Sequence, residues 1–112
     1  MGLDWIITNT KNYTGPTEHR ANGLVWIFET FDLHQTGKLC YGTLKSKKEF
    51  STLNKNQMTK ILNDLYVIIN ITEYPECITN VIDEEELRGH LDDARLMLEG
   101  ALANKIEIYA DY

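Results

Sequence analysis

The run LVWIFETF at residues 24–31 is the feature that most constrains how this chain can fold. Its aromatic and β-branched residues and the preceding Asn22-Gly23 favour a central β-strand over a helix. Such a strand is apolar on both faces: Leu24, Trp26 and Phe28 on one, and Val25, Ile27 and Phe31 on the other. Helices can cover only one of these faces. We therefore expect the 14–23 loop or a second subunit to cover the other face.

Periodicity along the rest of the chain predicts the remaining elements. Two segments alternate as strands do, and two others repeat their apolar residues with helical spacing. The result is a single α+β domain, 1–112, with a mainly antiparallel sheet of about four strands and two α-helices on one face, in the order β-β-β-α-α-β. The predicted strands lie at 3–8, 24–31, 38–44 and 105–110, the helices at 54 to about 70 and 83 to about 104, and a basic linker at 45–51.

The composition indicates a globular protein. The chain has 112 residues, 43% of them hydrophobic and 25% charged, which suffices for a core without disulfides or metals. No apolar run approaches the roughly 20 residues that span a bilayer, and the first residues lack a signal-peptide pattern. We therefore expect a cytoplasmic protein, in the host cytoplasm if it is viral, with Cys40 and Cys77 as free thiols.

The net charge of −6 is unevenly distributed along the sequence. Residues 1–60 carry eight Lys or Arg against five Asp or Glu, and residues 61–112 carry three against twelve. A broad basic face is not expected, so nucleic-acid binding is disfavoured.

The acidic second helix has two interpretations. Its carboxylates could form a docking face for a partner, together with the apolar strand face. Alternatively, they form a solvated helix start followed by a ladder of opposite charges three or four residues apart, from Glu84 to Glu99. The candidate partner-binding residues are Val25, Ile27, Phe31, Glu84, Glu85 and Asp93.

The long polar connection before residue 24 is a candidate ligand loop. Loops of this length in compact domains are often functional, and this one carries Lys11, Tyr13, His19 and Arg20. Arg20 could bind a phosphate or carboxylate of a small anionic ligand. The alternative is that Arg20 pairs with acidic residues of the C-terminal half.

No sequence motif indicates catalysis, a cofactor or a metal. The three histidines and two cysteines have no ligand spacing, and no phosphate-binding or nucleophile-elbow motif occurs. Cys40, within a predicted strand, is a candidate nucleophile only if a base lies beside it. We expect a protein without catalytic residues, metal or cofactor.

The segments MGLDWI, GLVWIF and CYG resemble small uncharacterised accessory proteins of tailed phages and large DNA viruses that open with Met-Gly-Leu-Asp. The likeness covers about residues 1–42 and carries over no site residues. It implies a viral protein that binds and modulates or inhibits a host protein, in host takeover or anti-defence. A homodimer is a further expectation, and an anionic ligand or nucleotide module using the 11–23 loop is the alternative.

Overall fold

The computed structural model describes residues 2–44 and 51–112, so residues 45–50 of the predicted basic linker lie outside the described part. The elements are, in order, β1 (Asp4–Ile6), β2 (Glu18–Arg20), α1 (Asn22–Thr30), α2 (His34–Leu39), β3 (Thr43–Leu44), β4 (Ser51–Leu53), α3 (Lys55–Ile69), α4 (Glu76–Thr79), α5 (Glu84–Ala103) and β5 (Ile108–Asp111). The strands form one antiparallel sheet in the order β2-β1-β5-β4-β3. The α+β class is confirmed.

The sheet has one buried face and one more exposed face. Trp5 of β1 lies between His19 of β2 and Ala110 of β5, and Trp5 and Ala110 belong to the core with the helices. The next residue, Ile6, points the other way and is only partly buried. The alternation of β1 therefore separates a helix-covered face from the opposite face, as predicted for a half-buried strand.

The prediction of a central strand at 24–31 is wrong, because these residues form most of helix α1 and its C-terminal cap. Leu24, Val25, Ile27 and Phe28 are all buried, so little of this short helix reaches solvent. An element buried on most sides needs apolar residues at nearly every position, and its sequence then loses the periodicity that distinguishes helix from strand.

The apolar face that was expected to need a cover is packed within the chain itself. Val25 and Ile27 are 7% and 2% exposed, and Phe31 is partly buried against the core. These residues are therefore core residues of the chain itself. Neither the 14–23 loop nor a second subunit is needed to cover them.

The predicted strand at 38–44 and its hairpin with 24–31 are also wrong. Helix α2 occupies the first part of this segment, and only the two residues of β3 are extended. β3 pairs with β4, a strand absent from the prediction. Gly42 makes the turn into β3 with φ of 72°, in the left-handed region that favours glycine.

The two long helices and the last strand are confirmed. Asn54 and Gln57 form the predicted capping box at the start of α3, with each side chain bonded to the other residue's backbone N–H. Helix α5 packs against α3 through its predicted apolar stripe. The buried members of that stripe are Leu87, Leu91, Ala94 and Leu98. No helix in residues 2–44 or 51–112 is both long and apolar enough to cross a membrane.

Candidate functional site

The candidate ligand loop contains strand β2, which divides its side chains between the two faces of the sheet. Glu18, His19 and Arg20 pair with Ile6, Trp5 and Asp4 of β1 in that order. His19 shares the helix-covered face with Trp5, whereas Arg20 lies on the opposite face with Asp4. Two of the four candidate ligand residues are therefore adjacent in sequence but separated by the sheet.

Arg20 is paired with an acidic residue, as in the alternative interpretation, although the partner belongs to the N-terminal strand. Its Nε donates to Asp4 Oδ1 over 3.2 Å. The pair lies in a shallow hollow of about 440 Å³ that Glu18 also lines. One guanidinium among two carboxylates does not create a positive potential for an anion.

Tyr13 has a structural role. It is buried, and its hydroxyl donates to the Pro16 carbonyl over 2.6 Å. Its ring lies against Gly100, where an added β-carbon would come within 3.1 Å of it. His19 contacts His90, which lies ten residues before Gly100 on α5, a distance of about 15 Å along the helix. Tyr13 and His19 are thus held at different places, and Lys11 is exposed.

The structure reveals a stacked histidine pair that sequence analysis did not predict. The rings of His19 and His90 have centroids 4.6 Å apart, and the centroid of the Trp5 ring lies 6.0 Å from that of His19. The Nε2 atoms of both histidines are buried and have no hydrogen-bond partner within the described residues. No local motif links residues so far apart in sequence, so only the sheet register and the packing of α5 could have indicated the pair.

Both histidines favour the neutral form. Burial lowers the pKa of His19 from 6.5 to about 4, and the nearby His90 charge lowers it as well, against the opposing effect of Asp93. Burial also lowers the pKa of His90, again opposed by Asp93. Within the described ranges, no three His, Cys, Asp or Glu side chains are grouped so that they could hold a metal ion.

The two cysteines are free, and their environments differ. Cys40 is fully buried, its Sγ donates to the Thr36 carbonyl, and its own carbonyl accepts a 2.8 Å bond from Trp5 Nε1. Burial raises the pKa of the Cys40 thiol far above its ordinary value, so the thiolate needed for nucleophilic attack does not form at neutral pH. Cys77 is exposed on α4.

The charge ladder predicted for α5 is present in part. Arg88 bonds Glu84 over 3.1 Å, and Arg95 bonds both Asp92 and Glu99. Arg88 also fixes the end of α3, because it donates to the Ile71 carbonyl over 3.1 Å. Its guanidinium lies 4.8 Å from the centre of the Tyr74 ring. Glu84, one candidate partner residue, is therefore committed to an intramolecular pair.

Three carboxylates at the start of α5 differ from those of the ladder in having no ion pair with a described residue. Asp83 precedes the helix without capping it by its side chain, and Glu85 and Glu86 are exposed in the first turn. None of the three forms an ion pair with another described residue. Val81, just before them, is 72% exposed. We call Val81, Asp83, Glu85 and Glu86 the acidic surface. Asp93, another candidate partner residue, is not part of it; its charge raises the pKa of His19 and of His90.

The fold defines a small α+β domain with helices on one face of an antiparallel sheet. Over 90 residues, 75% of the chain, its sequence is 24% identical to that of the "Putative type I restriction enzyme MjaVIIIP endonuclease subunit" of Methanocaldococcus jannaschii. The chain corresponds to only 9% of the length of that subunit. No family model matches the chain. No solved structure is significantly similar to it.

Proposed function

We propose that this chain is a non-enzymatic interaction protein that binds a basic surface of a partner protein through the acidic surface at the start of α5. The observation that carries the proposal is the exposed Val81 beside three carboxylates that have no ion-pair partner in the described residues. An exposed apolar residue close in sequence to charges of one sign suits a protein partner, since burial provides affinity and complementary charge provides orientation and association rate.

The chemistry of the described residues supports binding over catalysis. The thiol of Cys40 is buried, and the paired histidines present no free Nε2 atom to solvent. A general base or nucleophile must instead reach a substrate. The alternative proposal, an anionic ligand module, has less support because Arg20 is already paired with Asp4.

Two similarities suggest which partner to test first. The N-terminal segments resemble viral accessory proteins, which supports a host protein as the target. The chain is also similar to a segment of a protein described as a restriction endonuclease subunit. A small chain resembling part of a subunit can compete with that part for its neighbours in an assembly. We therefore propose a host type I restriction enzyme as the first partner to test.

The experiment measures binding of immobilised protein to a purified type I restriction enzyme and its subunits, with DNA cleavage as a second readout. Wild-type protein is expected to bind and to reduce cleavage. Glu85→Lys and Val81→Asp are expected to weaken binding at least tenfold. Glu29→Lys makes the same charge change on an exposed residue of α1 and is expected to bind as wild type does.

A host-lysate capture with the same variants extends the test to other partners. If neither experiment finds a protein that binds wild type and discriminates Glu85→Lys from Glu29→Lys, the proposal is wrong. Equal binding by all variants would show that the acidic surface is only a solvated helix start.

A further inference from the structure

Strand β2 forms one outer edge of the sheet, with β1 as its one neighbour in the described structure. The hydrogen bonds that flank this pairing reveal which backbone groups face β1. Ala21 N–H donates to Leu3 O, and Ile7 N–H donates to Thr17 O, each over 2.8 Å. In an antiparallel ladder the bonded positions alternate along each strand. Positions 17, 19 and 21 therefore face β1.

The intervening residues, Glu18 and Arg20, direct their N–H and C=O groups away from the sheet. Their side chains are also exposed. The edge thus presents two donor and acceptor sets separated by His19, whose own backbone groups are used by Trp5. Another strand can add here without disturbing a bond of the existing sheet.

We propose that two copies of this chain associate antiparallel along β2, with His19 of each copy at the twofold axis. In this register Glu18 of one copy lies opposite Arg20 of the second copy, and the same pair recurs on the other side of the axis. Both pairs fall at positions whose backbone groups point outward, so each pair exchanges two N–H···O bonds. The two sheets become one continuous sheet.

Charge complementarity identifies a second copy as the occupant of this edge. The sequence Glu-His-Arg carries an acid and a base at equal distances from its centre, so an antiparallel copy places opposite charges face to face. Any register displaced from this one loses at least one of the two pairs. Arg20 already contacts Asp4 over 3.2 Å and would then lie between two carboxylates.

The proposed dimer is weak and sensitive to salt. The strand has three residues, and Pro16 lies two residues before it, so the joined edge is short. Interfaces much smaller than about 1,000 Å² give transient complexes. Exposed ion pairs weaken as the Debye length falls. We expect monomer at micromolar and dimer at millimolar concentration, with less dimer in high salt.

Sedimentation equilibrium over a concentration series tests the proposal. Glu18→Arg places two bases opposite each other in each pair and is expected to abolish the dimer. Exchanging the charges with Glu18→Arg and Arg20→Glu together is expected to restore it, since opposite charges again face each other. The exchange is made in an Asp4→Asn background, so that the new acid does not face a carboxylate on β1. Asp4→Asn alone is expected to dimerise as wild type does.

Glu18→Pro provides a second test, because it removes an outward N–H that no described residue of the monomer accepts. It is expected to remain folded by circular dichroism and to be monomeric. Glu29→Lys controls for the change in net charge and is expected to dimerise. A wild type that stays monomeric at millimolar concentration overturns the proposal. So does a folded charge exchange that associates no better than Glu18→Arg, or a Glu18→Pro variant that still dimerises.

Discussion

The stacked histidines predict that the protein loses stability as the pH falls from about 7 to about 5. In the unfolded chain each imidazole binds a proton near pH 6.5. In the folded chain burial lowers the pKa of His19 to about 4, and it also lowers the pKa of His90. Between these values the unfolded state binds more protons than the folded state. The contribution of the two neutral histidines to the free energy of unfolding is therefore fully present above pH 6.5 and decreases as the pH falls towards 4.

The size of the effect follows from the same values. A histidine whose pKa falls from 6.5 to about 4 loses at most about 2 kcal/mol of its stabilising contribution between pH 7 and pH 5. His19 is only partly buried, so solvent screening reduces this to about 1 kcal/mol. His90 acts in the same direction. We expect a total loss of at least about 1 kcal/mol.

Urea denaturation at about pH 7 and about pH 5 measures this loss directly. His19→Phe keeps an aromatic ring against His90 but cannot take up a proton, and we expect it to remove much of the pH dependence. His34→Gln is the control, because it removes an exposed imidazole and leaves both buried imidazoles in place, and it should retain most of the dependence. Imidazole proton shifts measured by NMR would contradict the reasoning if both His19 and His90 titrated near pH 6.5.

Three further predictions concern local stability, each checked by thermal and urea unfolding. Arg88→Ala should lower the free energy of unfolding by about 1 kcal/mol, because the guanidinium joins α5 to the end of α3 and covers the Tyr74 ring; recovery in Arg88→Lys would show that charge alone suffices. Asn54→Ala should also cost about 1 kcal/mol, since it opens the capping box of α3; an unchanged midpoint would show that the box contributes nothing. Gly42→Ala should cost more than about 1 kcal/mol, because φ is 72° and a β-carbon would lie 2.7 Å from a backbone oxygen. Gly89→Ala should instead stabilise α5 by about 1 kcal/mol, because no described atom outside the adjoining helix backbone lies within 4 Å of the added carbon. Equal effects at the two glycines would contradict the geometry.

The long helices could be predicted from sequence because their signals are local. Asn54 and Gln57 stand three residues apart, and the stripe from Leu87 to Leu98 repeats with helical spacing. Helix α1 could not be predicted in this way. Its apolar residues are determined by what surrounds it in the folded protein, and neither period appears in so short a buried segment. Mistaking it for a strand caused the wrong prediction of the hairpin as well.

The arrangement of the candidate site residues likewise depends on the folded structure and not on a local sequence signal. From sequence, His19 and Arg20 were grouped with Lys11 as cationic side chains of one loop. Strand β2 instead sends His19 towards α5 and Arg20 towards Asp4. Because the face that a side chain occupies is determined by sheet register, composition of the loop could not predict it. The contact between His19 and His90 depends in addition on how α5 packs beneath the sheet.

The alternation of β2 also makes the two central hypotheses separable by mutation. His19 points inward, so His19→Phe should change the pH dependence of stability and leave self-association intact. Glu18 points outward, so Glu18→Arg should abolish self-association and leave the pH dependence intact. Measuring both properties on both variants distinguishes the two effects from a general loss of the edge strand. If β2 simply detaches when either residue is replaced, each variant would alter both properties, and neither the histidine pair nor the charge register would then explain the behaviour of this edge.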